Sequence, residues 1–318
     1  MKQIGFRFLA VFGLLLLVSG CSGFRHGLYD MAMSWERSKA DLVEKSVTVD
    51  GRKMVYLENG PAEGRPSVVL VHGFAARKEN WMRFAGHLGE NCHVVAMDLP
   101  GHGESVKDMD LAYGIEDQVD YLHAFFEKIG LESFHMVGNS MGGAISALYA
   151  ATHPHRVRGL CLMDPAGIYI YESRLIELMK KGKNPLIVKT EEDFYELMDF
   201  AMEQKPFMPW PVAGVMAEQY VANRAINEKI FGEMRALDRS AFKKSLRRIQ
   251  APTLILWGKQ DRIVDVKNAR EFNRLIQNSE KVVFDDIGHA PMIEAPERSA
   301  DIFLKFIEQS GDLLDESG

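Results

Sequence analysis

Short apolar runs and helical repeats alternate along most of this chain. Ser67–Val71, His93–Met97 and residues 134–137 are continuous apolar runs of four or five residues, as buried parallel strands tend to be. Segments such as Ile115–Ile129 carry apolar residues at three- and four-residue spacing, which predicts helices. Strands that alternate with helices predict an α/β fold, with a mostly parallel sheet and helices on both of its faces.

The alternation has a clear beginning and one long interruption. Asp50-Gly51 separates two short strand patterns and predicts a β-hairpin. From residue 165 to residue 250 no strand pattern is convincing, and glycines and prolines interrupt the helical patterns. The alternation then resumes and ends in a helix at residues 296–308. We predict an α/β core at residues 45–164 and 251–310, an inserted helical cap at residues 165–250 and a tail at residues 311–318.

The N-terminus differs from the rest of the chain. Lys2 and Arg7 precede an apolar stretch at residues 8–18, which is shorter than the roughly 20 residues of a membrane span and has the size of a secretory signal. The stretch leads into the sequence VSGC, which resembles a bacterial lipobox. We predict a lipoprotein signal peptide at residues 1–20, lipidation of Cys21 and attachment to the bacterial cell envelope, on the periplasmic side or at the outer membrane. A plain signal peptide and a short uncleaved anchor are the alternatives.

Residues 21–44 are predicted to be an anchor or linker. From Leu28 onward, apolar residues recur at three- and four-residue spacing, which is typical of a weakly amphipathic helix. This helix either lies on the bilayer beneath the lipid anchor or packs on the body of the protein. The sequence leaves both possibilities open.

The hexapeptide GNSMGG, centred on Ser140, joins an apolar strand pattern to a small-residue helix pattern. Strand, G-x-S-x-G and helix together form the context of a nucleophile elbow. A serine at the apex of such a turn needs a positive φ, and glycine fits the crowded positions two before and two after it. The turn would expose the Ser140 hydroxyl and aim the Met141 N–H at the space where an oxyanion develops. Taken alone, the pattern also fits a glycine-rich turn with a solvated serine.

A serine nucleophile needs a neighbouring base, and the base needs an orienting acid. Asp261 and His289 each follow a strand pattern near the end of the core, in the chain order that suits this fold. Because the carboxyl ends of parallel strands meet at one edge of a sheet, both residues should lie beside Ser140. Other carboxylates that could orient the base are Asp164, which ends a strand pattern and is the best placed of them, and Asp285, Asp286 and Glu294.

The loop after Ser67–Val71 is expected to supply a second oxyanion donor. It begins His72-Gly73-Phe74, and the candidate is the backbone N–H of Phe74, because Gly73 lets the backbone approach the substrate. His72 is expected to make structural hydrogen bonds. The backbone arrangement matters more here than the Phe74 side chain.

The cap is the only source of information on the substrate. It contains a stiff apolar segment that could line an acyl pocket above Ser140. The candidate lining residues are Phe207, Met208, Trp210, Val215 and Met216. The alternative is that these residues only pack the cap onto the core.

Six stretches of the chain resemble the α/β-hydrolase family. They are HGFAARKENW from His72, DLPGHGES from Asp98, the elbow, DPAG from Asp164, and the stretches around Asp261 and His289. They are most similar to the cap-bearing bacterial lipases of the Moraxella and Psychrobacter type and to mammalian monoacylglycerol lipases, over roughly residues 45–308. The resemblance implies an eight-stranded sheet in the order 1-2-4-3-5-6-7-8, with Ser140 as nucleophile, His289 as base and Asp261 as its partner.

The resemblance also implies a reaction class. It implies a serine carboxylester hydrolase, a lipase or esterase acting on acylglycerols or similar esters through an acyl-enzyme, without a cofactor or metal ion. The elbow also resembles that of carbon–carbon hydrolases, so another small-molecule serine hydrolase is the first alternative, and a non-catalytic surface lipoprotein is the second. In the implied sheet order the strands of Cys92 and Cys161 are not neighbours, so we expect two buried free thiols.

The charge balance argues against a nucleic-acid partner. The formal net charge is -6, and the sequence contains no long basic tract. The expected partners are therefore an ester substrate and, through Cys21, a membrane.

Overall fold

The computed structural model describes residues 22–61 and 64–309. The predicted signal peptide, Cys21 and the tail at residues 311–318 lie outside these residues. Eight strands form one sheet in the order β1-β2-β4-β3-β5-β6-β7-β8, which confirms the predicted eight-stranded α/β fold. The strands are β1 Val43–Val49, β2 Arg52–Glu58, β3 Ser67–Val71, β4 His93–Met97, β5 Phe134–Asn139, β6 Val157–Met163, β7 Thr253–Gly258 and β8 Ser279–Phe284.

The sheet is parallel except at its first edge. β2 pairs antiparallel with both β1 and β4, and all pairings from β4 to β8 are parallel. The hairpin between β1 and β2 turns at Asp50 and Gly51, whose φ angles are 49° and 78°. Because two positive φ angles match the twist of a two-residue hairpin, the Asp-Gly pair determines this register, with Val49 opposite Arg52.

Helices cover both faces of the sheet. They are α1 Ser22–Lys39, α2 Met82–Leu88, α3 Ile115–Ile129, α4 Met141–Thr152, α5 Arg174–Lys180, α6 Glu191–Ala201, α7 Val212–Ala222, α8 Arg224–Met234, α9 Arg239–Leu246, α10 Ala269–Leu275, α11 Pro291–Glu294 and α12 Pro296–Gln309. Single 3-10 turns occupy Lys78–Trp81, Gly89–Asn91 and Val266–Asn268. Between β6 and β7 the chain forms the five helices α5 to α9 and no strand.

The alternation of side chains along the central strand divides the core into two layers. Val69 and Val71 of β3 pack with α3 and α4 on one face, and Val68 and Leu70 pack with α2 and α12 on the other. All four are fully buried. A strand that is covered on both faces needs apolar residues at every position, which explains the continuous apolar runs in the sequence.

Helix α1 packs on the body of the protein. Tyr29 is buried against Val212 and Val215 of α7, and its hydroxyl accepts a hydrogen bond of 2.6 Å from Arg77. Met31 and Trp35 of the same helix are exposed. Among the described helices, none combines the length and the apolar character needed to cross a bilayer.

Candidate active site

Ser140 occupies a strained turn between β5 and α4. Its φ is 54° and its ψ is -117°, a conformation that costs free energy for a residue with a Cβ. A Cβ on Gly138 would collide with the Gly142 carbonyl, and a Cβ on Gly142 would collide with the Val71 and His72 carbonyls. The two glycines of G-x-S-x-G are therefore required by close backbone packing.

Backbone hydrogen bonds hold the turn on both sides. The Ser140 N–H donates to the Met163 carbonyl at 3.0 Å. The Ser140 carbonyl accepts from Ala144 at 3.1 Å and from Ala166 at 2.9 Å. Ala75, in the loop after β3, and Asp164, directly after β6, also have positive φ angles, of 54° and 47°, and these two strands flank β5 in the sheet. Strained backbone is thus concentrated at the carboxyl edge of the sheet, where strain often accompanies function.

His289 and Asp261 form a buried pair at the same edge. His289 Nδ1 lies 2.7 Å from Asp261 Oδ2. The second oxygen, Asp261 Oδ1, accepts the backbone N–H groups of Ile263 at 2.7 Å and Val264 at 3.0 Å. The Asp261 Oδ2 atom accepts a hydrogen bond from His289 Nδ1–H, and this fixes the ring tautomer in which Nε2 is the acceptor.

The loop that carries His289 is held from two directions. The His289 N–H donates to the Ala201 carbonyl in the cap at 2.8 Å, and the His289 carbonyl accepts from Asn139 Nδ2 at 3.0 Å. His289 and Ser140 line the same cavity. The chain positions at 140, 261 and 289 therefore come together at one rim of the sheet.

The other candidate acids have different surroundings. Asp285 pairs with Lys259 and Asp286 with Arg298, both at the exposed surface. Asp164 is fully buried, and its Oδ1 accepts the Gly258 N–H at 2.9 Å. Burial first, and the neighbouring Asp261 second, raise the pKa of Asp164 well above its usual range. Burial therefore favours the protonated form of Asp164, which suits it to support Asp261 better than to stabilise an imidazolium.

The loop after β3 is held by a neutral histidine. His72 Nδ1 donates to the Gly73 carbonyl at 2.8 Å, and Nε2 accepts the Leu99 N–H at 3.0 Å. This confirms the predicted structural hydrogen bonds. Burial lowers the pKa of His72 to about 4, so the acceptor nitrogen is kept at neutral pH. The ring thereby joins the loops after β3 and β4 and positions Gly73 and Phe74 beside Ser140.

A cavity of about 310 Å³ opens above Ser140, and most of its surface is apolar. Gly73 and Phe74 line it from the core, and Pro206 to Pro209, Val212 and Met216 line it from the cap. Phe207, Met208 and Met216 thus line the cavity, and their role in substrate binding stays a prediction. Met141 is buried at the first position of α4, where a backbone N–H has no acceptor within the helix.

Two of the predicted lining residues do not line the cavity. Val215 packs against Tyr29, because in α7 the cavity face carries Val212, Met216 and Tyr220 at four-residue spacing and Val215 falls on the adjacent face. Trp210 lies outside the cavity on the surface and is 60% exposed. The prediction for these two residues was wrong because a linear apolar segment does not reveal which side chains turn inward.

Helix α1 forms a wall of the cavity that sequence reasoning missed. Tyr29, Ala32, Met33 and Glu36 line it at the spacing of one helical face, together with Trp35. The amphipathic pattern was the available signal, but it does not identify what the apolar face contacts.

Comparison with known proteins identifies the family. The pattern of the alpha/beta hydrolase fold family matches residues 66–207 and 217–296. Lipase 1 of Psychrobacter immobilis is 36% identical over 306 residues, which cover 94% of this chain and 95% of the lipase. Monoacylglycerol lipase ABHD6 of Homo sapiens is 30% identical over 263 residues, which cover 79% of this chain and 78% of that enzyme. The chain belongs to the alpha/beta hydrolase family.

A solved structure agrees with this assignment. A membrane phospholipase A, described as a bacterial virulence factor, superposes on this hydrolase with a TM-score of 0.88 at 38% identity, covering 98% of this chain and 99% of that one. The predicted family and fold are therefore confirmed along nearly the whole chain.

Two clusters of acidic and histidine side chains in the described part of the hydrolase have donor atoms close enough for a metal ion. In the first, of Asp164, Asp261 and His289, the histidine Nδ1 is already hydrogen-bonded to Asp261, and burial raises the pKa of Asp164. In the second, of Glu44, Glu79 and Glu104, the Lys78 ammonium lies 2.9 to 3.5 Å from all three carboxylates. The first cluster is therefore suited to proton transfer, and the second is part of an ion-pair network.

Glu294, which the sequence offered as a possible direct partner of the base, instead holds the backbone of the loop that carries His289. Its carboxylate accepts the N–H groups of Gly288 and Ala290, on either side of His289. It also accepts the N–H groups of Glu203 and Gln204, just after α6 of the cap. One carboxylate thus fixes the loop of the histidine and the start of a cap segment together.

We expect Glu294→Gln to lower kcat by about 10- to 100-fold, because an NH2 group would face four N–H donors and each lost charged hydrogen bond is worth about 1.5–3 kcal/mol. KM should change less than kcat. Asp286→Asn is the control, since it removes an exposed nearby carboxylate. Steady-state kinetics on a nitrophenyl ester test the prediction, and an unchanged kcat in Glu294→Gln would contradict it.

Proposed function

We propose that this serine ester hydrolase cleaves acyl esters of glycerol or similar lipid alcohols at a bacterial membrane, using Ser140, His289 and Asp261. The observation that carries the proposal is the buried hydrogen-bonded pair of His289 and Asp261 at the floor of the apolar cavity that Ser140 also lines. An apolar cavity with a few convergent polar groups is the usual form of a lipid ester site.

The proposed reaction has two halves. Ser140 Oγ attacks the ester carbonyl while His289 Nε2 accepts its proton, and Asp261 stabilises the imidazolium. The backbone N–H groups of Phe74 and Met141 donate to the oxyanion. When the tetrahedral intermediate collapses, His289 returns the proton to the leaving alkoxide and an acyl-Ser140 ester forms. Water, deprotonated by His289, then attacks this ester, and the carboxylic acid leaves as Ser140 regains its proton.

Three features support a lipid ester as substrate. The cavity walls from α1 and the cap are apolar, which suits an acyl chain. One relative is by name a monoacylglycerol lipase, and another is by title a membrane phospholipase A. A panel of glycerol esters, nitrophenyl esters and vinylogous diketones tests the reaction class, and preferential turnover of the diketones would favour a carbon–carbon hydrolase.

The acyl chain is assigned to the cavity beside Met216. Met216→Trp should shorten the preferred chain, with kcat/KM for a twelve-carbon ester falling about tenfold relative to a four-carbon ester, because the larger ring removes space for several methylenes. Trp210→Ala is the matched control, since Trp210 lies on the same cap segment outside the cavity. A chain-length profile that responds to Trp210→Ala and not to Met216→Trp would contradict the assignment.

Membrane attachment is the second part of the proposal. Trp35 of α1 and Phe207 of the cap line the cavity and are 60% and 85% exposed. Exposed aromatic side chains at a cavity mouth suit insertion into a lipid interface. The chain that precedes α1 carries the predicted lipobox, so the proposed acyl anchor on Cys21 would hold this mouth near the bilayer.

Replacing Cys21 by serine should release the protein from the membrane, or leave its signal unprocessed, because a thioether-linked lipid can no longer form. Fractionation of the bacterial envelope and mass spectrometry of the mature N-terminus provide the readout. Unchanged membrane attachment of Cys21→Ser would favour the short uncleaved anchor, and a mature N-terminus without lipid in the parent protein would favour a plain signal peptide.

A further inference from the structure

A second cavity lies beside α4, the helix that follows Ser140. It measures about 430 Å³ and shares no lining residue with the first cavity. Its walls come from α4, α5 and the end of α8, with Leu175, Ile176 and Phe231 among the apolar lining residues. An apolar space of this size suits a single hydrocarbon chain.

The rim of this cavity carries unpaired positive charge. Arg235 and Arg239 both line it. In the described part of the chain neither guanidinium has a carboxylate within 4 Å or a hydrogen-bond acceptor. Each lies over an aromatic ring of the cavity wall instead, Arg235 5.7 Å from the centroid of Phe231 and Arg239 4.9 Å from that of Tyr169. The rings hold the two cations at the opening and leave their N–H donors free.

The remaining charges at the rim cancel. Glu172 and Lys180 also line the cavity, and they form an ion pair with each other. Three cations and one anion leave a net charge of about +2 beside an apolar interior. Guanidinium groups bind carboxylates and phosphates through paired hydrogen bonds, so the rim selects an anionic head group.

We propose that this second cavity binds a single-chain anionic amphiphile, with its chain in the cavity and its carboxylate or phosphate on Arg235 and Arg239. A free fatty acid and an anionic lysolipid share this chemistry. The site goes beyond the proposed function, because it lies outside the catalytic cavity and its ligand need not be the ester.

The cavity also contacts the catalytic turn. Ala144 and Ala166 line it, and their N–H groups hold the Ser140 carbonyl. Met141, whose N–H is the proposed oxyanion donor, lines it as well. An amphiphile in this site therefore touches the residues that fix the nucleophile.

Binding to the second cavity is best measured while a covalent inhibitor occupies the catalytic cavity. Reaction of Ser140 with a long-chain alkyl fluorophosphonate fills the first cavity, and intact mass confirms the adduct. Dodecanoate and a lysophosphatidylglycerol are then titrated by equilibrium dialysis. The one that binds more tightly shows whether the natural ligand is a free fatty acid or an anionic lysolipid. We expect one equivalent of at least one of them to bind, whereas dodecyltrimethylammonium should not bind.

Variants separate the site from general charge effects. Arg235→Gln with Arg239→Gln should weaken binding about tenfold or more, because the paired hydrogen bonds are lost. Lys244→Gln with Arg247→Gln removes the same charge from exposed positions outside the cavity and should have no effect. Ile176→Trp should block the chain without changing the charge.

Two results would overturn the proposal. One is the loss of all binding once Ser140 is phosphonylated, and the other is equal binding by the arginine pair variant and its control. Failure of Ser140 to react would count against the proposed function alone. In that case the same titration on the unmodified protein should show two sites, reduced to one by the arginine substitutions, and a single site in both proteins would overturn the proposal.

Discussion

Replacing Ser140 by alanine is expected to abolish ester hydrolysis and to leave the fold unchanged. Loss of the nucleophile should lower kcat by about 10⁴- to 10⁶-fold, the range for serine hydrolases that lose a catalytic residue. The thermal melt should hardly move, because the backbone hydrogen bonds of residue 140 to Met163, Ala144 and Ala166 do not involve the side chain. Alanine carries a Cβ as serine does, so the substitution adds no backbone strain at this positive φ.

The measurement is turnover of a nitrophenyl ester together with a melting curve. Ser146→Ala is the matched control, since Ser146 is a buried serine of the same helix α4 that does not line the acyl cavity. It should retain activity within a small factor. Retained turnover in Ser140→Ala would refute the assignment of Ser140 as the nucleophile. If both variants lost activity because they unfold, their melting curves would show it.

Replacing Asp261 by asparagine should have the next largest effect. Asp261 accepts hydrogen bonds from three donors, with one oxygen toward His289 and the other toward Ile263 and Val264. Asparagine has only one oxygen, so in either orientation its NH2 group faces N–H donors. With the NH2 group toward His289, the ring is driven to the tautomer that carries hydrogen on Nε2, which cannot accept the Ser140 proton. We expect kcat to fall by about 10³- to 10⁴-fold.

Asp164 provides both the control and the competing assignment. One carboxyl oxygen of Asp164, one of Asp261 and a ring nitrogen of His289 lie within 4.8 Å of one another. Asp164→Asn should keep most of the activity, because the asparagine oxygen can still accept the Gly258 N–H. Near-normal activity in Asp261→Asn, with activity lost on adding Asp164→Asn, would instead make Asp164 the partner of His289.

The parts of the fold that the sequence predicts are those with a local cause. Continuous apolar runs predicted the buried strands because β3 to β7 are covered on both faces, and Asp50-Gly51 predicted the hairpin because both residues need positive φ. The order of the strands follows from no local pattern. It came from resemblance to a family.

The site divides in the same way. The glycines around Ser140 follow from backbone crowding, which a short motif records. Three other features depend on contacts between segments far apart in the chain. They are the wall made by α1, the orientation of Met216 toward the cavity and of Val215 toward Tyr29, and the four amides that share Glu294. A single sequence carries no periodic signal for such contacts, so only the folded chain reveals them.

The central claim is that Ser140 is an activated nucleophile, and covalent labelling tests it most directly. The protein is incubated with a fluorophosphonate, and the adduct is counted by intact mass and mapped by peptide sequencing. The account predicts one adduct per chain, on Ser140, that is absent from Ser140→Ala and forms much more slowly in His289→Ala. Labelling at a different residue, or rapid ester turnover by a protein that takes up no label, would contradict it.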